Sequence, residues 1–119
     1  MQHKVSTVED YGKRMDQLKN YIINNLDKQL TVENLAEKTN YSPYHFHRVF
    51  HEFTGETPGN FITRSRMKKA GELLMTGKLR IGEIAVKVGY NALSSLTKNF
   101  NKFYGVSPLQ FRKNYKASA

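Results

Sequence analysis

His45, His47 and His51 crowd one short stretch of this 119-residue chain, with Tyr44 and Arg48 among them. Imidazoles four apart, as His47 and His51 would be on a helix, can reach one metal ion if other ligands complete its shell. The chain has no Cys, and no clustered carboxylate completes the set, so no metal is assigned. A second chemistry fits better. Tyr44, His47, Arg48 and His51 have counterparts fifty residues on, Ser94, Thr97, Lys98 and Asn101, and none of the eight is acidic. Such side chains donate to phosphate oxygens and to base edges, and Arg48 can grip guanine O6 and N7 with two donors. Catalysis has no footing. With no Ser/His/Asp or Cys/His set and no G-x-x-x-x-G-K-[ST] loop, an enzyme is not expected and no cofactor is assigned.

Both quartets sit in an internal repeat. Phe50-x-x-Phe53-x-Gly55-x-Thr57-Pro58-x-x-Phe61 returns as Phe100-x-x-Phe103-x-Gly105-x-Ser107-Pro108-x-x-Phe111, each position shifted by 50. Upstream, Leu35-Ala36-x-Lys38-x-Asn40-Tyr41 returns as Ile84-Ala85-x-Lys87-x-Gly89-Tyr90, shifted by 49, so one residue is inserted between the blocks. A repeat fixes architecture ahead of any propensity argument. Each half reads as a short helix, a tight turn and a second helix. Thr31 is placed to cap the first, with Val32, Leu35 and Ala36 as its apolar stripe. Asn40 and Gly89 hold equivalent turn positions, and these two residue types most readily take positive φ. Ser42 and Asn91 can cap the second helix of each pair.

The second helix of each half must carry the chemistry. Phe46, Val49, Phe50 and Phe53 follow i, i+3, i+4, i+7 and predict a core-facing stripe, as do Leu96, Phe100 and Phe103. The first donor quartet centres about 160° from that stripe on a helical wheel, a face with no carboxylate. One polar helix face is ordinarily just solvated. Two at the same register of a repeat point instead to the floor of a DNA major groove.

Around these units, Tyr11, Met15, Leu18, Ile22 and Leu26 predict an amphipathic helix over the first half. Thr57 and Pro58 open a longer helix to about Met75, which Gly77 ends, and Ser107 and Pro108 open a last one to about Tyr115. The expected fold is all-α, with about seven helices and two helix-turn-helix subdomains joined by a long linker helix. Residues 1–57 form the first subdomain with its N-terminal helix, 58–76 the linker, and 77–119 the second subdomain.

Charge supports the same reading. The formal balance is +9, yet residues 1–60 hold 7 basic and 8 acidic side chains while 61–119 hold 12 and 2. Such a bias favours a polyanionic partner. Arg64, Arg66, Lys68 and Lys69 on the linker helix are candidate phosphate contacts. Thr31, Ser42, Asn91 and Ser107 join them at helix starts, where free N–H groups favour anions. Absence of Cys suits a reducing cytoplasm, and no apolar run approaches the roughly 20 residues that span a bilayer.

Ser42-Pro43-Tyr44-His45-Phe46-His47-Arg48-Val49-Phe50, then Ile84-Ala85-x-x-Val88-Gly89-Tyr90 and Phe100-x-x-Phe103-x-Gly105-Val106-Ser107-Pro108-x-x-Phe111-Arg112, resemble the DNA-binding domain of the AraC/XylS transcription regulators. The resemblance covers about residues 11 to 115. It implies sequence-specific binding of promoter DNA as a monomer, recognition helices at about 43–54 and 92–104 in successive major grooves, and action on RNA polymerase. Base-contacting positions of the family fall on Tyr44, His47 and Arg48, and on Leu93, Ser94, Thr97 and Lys98. Leu93 and Ser94 are short or apolar where many members carry longer polar side chains.

Family members usually carry a second domain for ligand or dimerisation, so a further effector domain outside this chain is expected as readily as a single-domain regulator. Within the chain, seven helices over residues 11 to 115 leave no expected room for a ligand cavity. Non-specific nucleic-acid binding and a helical protein-interaction adaptor are the competing readings; scattered basic residues would mark the first, salt-insensitive binding the second.

Overall fold

A computed structural model describes residues 7–118. They form seven helices and no strand: α1 (Thr7–Ile23), α2 (Val32–Thr39), α3 (Pro43–Thr54), α4 (Pro58–Thr76), α5 (Ile81–Lys87), α6 (Leu93–Tyr104) and α7 (Pro108–Ser118). Two compact units divide them. The first holds α1, α2, α3 and the start of α4 as far as Ile62; the second holds Leu26–Gln29 and the chain from Thr63 onward.

In the first unit Met15, Leu18 and Ile22 of α1, Leu35 and Ala36 of α2, and Phe46, Val49 and Phe50 of α3 are all buried. Phe61, one turn into α4, completes this core by meeting Phe50 edge-on at 5.7 Å. The expected α1 stripe runs true to Ile22 and then departs, because the helix ends at Ile23. Asn25 causes the stop: its side chain donates to the Tyr21 carbonyl at 2.8 Å, a local bond that competes with helix continuation. Leu26, past that turn, is buried all the same and belongs to the second unit.

The second core gathers Met67, Ala70 and Leu74 of α4, Ile84 and Ala85 of α5, Val88, and Leu96 and Phe100 of α6. The long helix is therefore shared: its first turn serves one core and its remainder the other. Burial of a ring such as Phe100 is worth about 1.5 to 3 kcal/mol. The outer ends of the two stripes correct the expectation, for Phe53 and Phe103 are 38% and 45% exposed. Phe53 still reaches α1, where its ring meets Tyr11 edge-on at 6.2 Å.

Turn chemistry follows the repeat. Asn40 adopts φ 64° and Gly89 φ 95°. Behind each, the next amide closes the helix end in the same way, Tyr41 N–H donating to Ala36 O at 3.2 Å and Tyr90 N–H to Ala85 O at 2.8 Å. The helices begin differently. Thr31 Oγ1 accepts from Asn34 N–H at 3.0 Å, whereas at α5 the Glu83 carboxylate accepts from Arg80 N–H at 2.8 Å.

Candidate nucleic-acid interface

At the start of α3, Ser42 Oγ accepts from His45 N–H at 3.1 Å, and Pro43 occupies the first turn, where its missing N–H costs nothing. At the end, Gly55 takes φ 81° and donates its N–H to His51 O at 2.9 Å. With Phe46, Val49 and Phe50 fixed inward, the outward face is set. Tyr44 is 74% exposed, and His47, Arg48 and His51 are exposed beside it. Tyr44 thus does not fold back over the helix start. The face is not free of carboxylate as expected, because Glu52 stands one turn from Arg48 at 3.9 Å. Both side chains are more than 60% exposed, so the pair contributes little and leaves the guanidinium available.

His45 belongs elsewhere. Its ring lies on Tyr41 with centroids 4.7 Å apart and meets Tyr11 edge-on at 5.8 Å, so it packs α3 against α1. Among the described residues no three His, Cys, Asp or Glu side chains group to hold a metal ion.

In α6, Leu96 and Phe100 are buried, Ser94, Lys98 and Asn101 are exposed, Leu93 is 48% exposed, and Thr97 is half-buried. Asn101 donates to Thr97 O at 3.2 Å and so lies along its own helix. The cap is a correction. Asn91 precedes the N-cap, which is Ala92, and no side chain caps α6. Because α6 follows the shift of 50, the counterpart of Ser42 is residue 92, and the inserted residue lengthens the turn ahead of the helix.

The phosphate candidates separate. Thr31, Ser42 and Ser107 hydroxyls each accept a backbone N–H at a helix start, Ser107 from Gln110 at 3.1 Å. Arg64, Lys68 and Lys69 are exposed on α4. Arg66 is half-buried and bonded within the second unit: Nε donates to Leu26 O at 3.1 Å and Nη2 to Lys28 O at 2.9 Å, with the guanidinium 5.7 Å from the Tyr90 ring. Burial lowers its pKa from the usual value, and Tyr90 opposes that. Its spacing on α4 matches its basic neighbours, so sequence alone had no signal to set it apart. Arg112 acts similarly, donating from Nε to Leu74 O at 3.1 Å.

The first unit carries an open surface cleft, not an enclosed apolar cavity. Between α1 and α2 lies a cleft of about 300 Å³ lined by Arg14, Gln17, Leu18, Tyr21, Lys38, Thr39 and Asn40. Two small cores do not preclude a groove where α1 crosses the end of α2.

Two helix-turn-helix units, each presenting a donor-rich helix, define a nucleic-acid-binding domain of the helix-turn-helix class. A family model described as a helix-turn-helix domain matches residues 35–114. The chain belongs to this family, in its AraC/XylS-type branch of transcription regulators. It is 32% identical over 92 residues to the HTH-type transcriptional activator AarP of Providencia stuartii, covering 77% of this chain and 68% of AarP. The C-terminal domain of AraT, a response regulator from Geobacillus stearothermophilus, superposes with a TM-score of 0.81 at 35% identity, covering 85% of this chain and 84% of that one. The DNA-binding domain of AdpA, a global transcriptional factor solved with a target DNA, gives 0.85 at 28% identity over 88% and 95% of the two chains. No helix among the described residues is long and apolar enough to cross a membrane.

Proposed function

We propose that this chain regulates transcription by reading duplex promoter DNA with α3 and α6 set in successive major grooves. Sequence-specific DNA binding is the activity of the domain. The finer reading assigns base contacts to Tyr44, His47, Arg48 and His51 in one groove and to Leu93, Ser94, Thr97, Lys98 and Asn101 in the next. Arg64, Lys68 and Lys69 with the helix starts at Thr31, Ser42 and Ser107 supply phosphate contacts. Arg66, bonded within its own unit, and Asn91, which caps no helix, are withdrawn from that set. The observation that carries the reading is the shared register: each donor face lies opposite a buried Phe, Phe50 or Phe100, behind a turn with a positive-φ residue, Asn40 or Gly89, and before an equivalent glycine stop.

The halves are related but not identical, so the site should be asymmetric and bound by a monomer. The output proposed is contact with RNA polymerase in the cytoplasm, without catalysis. Selection of bound duplexes from a random pool, then footprinting, tests this. Two inserted helices protect about 20 bp, with half-sites about 10 bp apart. Protection of about 10 bp would remove α6 from the groove, and a palindrome occupied by two chains would defeat the monomer.

A further inference from the structure

We infer that the cleft between α1 and α2 is a binding site for a small organic dicarboxylate. The half of the chain that contains it is balanced in charge, with 7 basic and 8 acidic side chains in residues 1–60. Two of those seven cations, Arg14 and Lys38, line the cleft, and none of the eight acids does. Both cations are held in place. Arg14 Nη1 donates to Thr39 O at 2.9 Å, and Lys38 Nζ sits 4.4 Å from the centroid of the Tyr21 ring. A carbonyl takes one of the five guanidinium donors, and the aromatic contact leaves the ammonium its three. Gln17 and Asn40 add neutral amides at the rim, and buried Leu18 forms an apolar floor.

Size and charge select the ligand. At about 300 Å³ the open cleft has room for a ligand longer than a bare phosphate or sulfate. Two cations with no acid among the residues lining the cleft match two carboxylates on a short carbon chain, which Leu18 can support. Arg14 also lies 5.7 Å from the ring centroid of Tyr41, which packs on His45 of α3, so the site adjoins the helix that carries Arg48.

The test is titration of the isotope-labelled chain with succinate, read by backbone amide shifts, with acetate and inorganic phosphate as controls at matched ionic strength. Saturable shifts confined to amides near residues 14–21 and 36–41 are expected with succinate, with acetate and phosphate weaker by about tenfold, the loss of one charge-assisted contact. Lys38→Met, at an exposed position that needs no refolding, should weaken succinate about tenfold; Arg14→Gln should do the same if the variant keeps its helical spectrum. Non-saturating shifts, equal response to acetate, or an unchanged Lys38→Met titration would overturn the site. A duplex that perturbs the same amides and abolishes succinate binding would identify the anion as DNA backbone, and the small-ligand assignment would fall while DNA binding stood.

Discussion

The α-carbon of Gly89 faces the carbonyl oxygen of Leu26 so closely that a Cβ there would overlap it, and that Cβ would also lie only 2.8 Å from the Arg66 guanidinium. Gly89 also sits at φ 95°, outside the range most side chains accept. Gly55 has a similar φ of 81° with nothing within 4 Å of its missing Cβ. Gly55→Ala should therefore cost only the left-handed strain, about 1 to 2 kcal/mol. Gly89→Ala adds overpacking and should cost about 1 to 3 kcal/mol more. Urea midpoints of the two variants decide this; equal losses would mean that Leu26 and Arg66 yield freely.

Arg66 and its basic neighbours on α4 should behave as different kinds of residue. Arg66→Ala leaves the part-buried Leu26 carbonyl without its partner and should destabilise the second unit by roughly 1 to 3 kcal/mol, with the salt slope of DNA binding unchanged. Lys68→Ala and Lys69→Ala should leave thermal stability alone and flatten that slope by about 1 each. A flattened slope in a stably folded Arg66 variant would return this arginine to the DNA.

How much of the fold and the interface is legible in the sequence depends on range. Turns and stops read correctly because their causes are local: Asn40, Gly55, Gly77, Gly89 and Gly105 all take positive φ. Core positions read correctly as far as one helix predicts its own neighbours, which is why Phe50 and Phe100 are buried while Phe53 and Phe103, at the end of each stripe, are not. Contacts across tens of residues are invisible. The Arg66 bonds to Leu26 and Lys28 span 40 and 38 positions, and the cleft pairs Arg14 with Lys38 across a helix crossing. The displaced cap at Asn91 is legible in principle, since the shift changes from 49 to 50 between Tyr90 and Phe100, but the repeat does not say where within that stretch the extra residue falls.

Base reading by α3 makes a separate claim. Arg48→Ala should cost about 1 to 3 kcal/mol on the selected site and relax one position of it. Glu52, 3.9 Å from Arg48, opposes the approach of phosphate, so Glu52→Gln should raise affinity for all sequences alike. Competition binding against random duplex measures both, and equal loss on specific and random DNA would leave Arg48 a phosphate contact only.

Alkaline pH should unfold the second unit through its tyrosines. Burial holds the Tyr90 and Tyr104 hydroxyls protonated above their ordinary pKa of 10, Arg66 opposing at Tyr90 and Glu72 assisting at Tyr104. The unfolded chain loses these protons first. Stability is therefore intact below pH 10 and falls as pH rises through the native pKa values. Tyr90→Phe and Tyr104→Phe should each flatten that fall in urea midpoints measured from pH 9 upward; Tyr104→Phe also forfeits a 3.2 Å bond to Met67 O and should start lower. An unchanged slope in both variants would assign the alkaline transition to other groups.

The unequal turns ahead of α3 and α6 bear on any attempt to retarget the molecule by exchanging reading heads. Gly55 and Gly105 adopt the same geometry, φ 81° and φ 80°, and both lead into a hydroxyl residue and Pro, so the downstream joints are interchangeable parts. The upstream joints are not. Three residues separate α2 from α3 and five separate α5 from α6. A graft cut at the helix starts would inherit the host's turn and keep its aim. One cut at Asn40 and Gly89 would import a foreign turn, two residues against three ahead of the helix, and shift where the transplanted helix begins on its host and with it the aim of its donors.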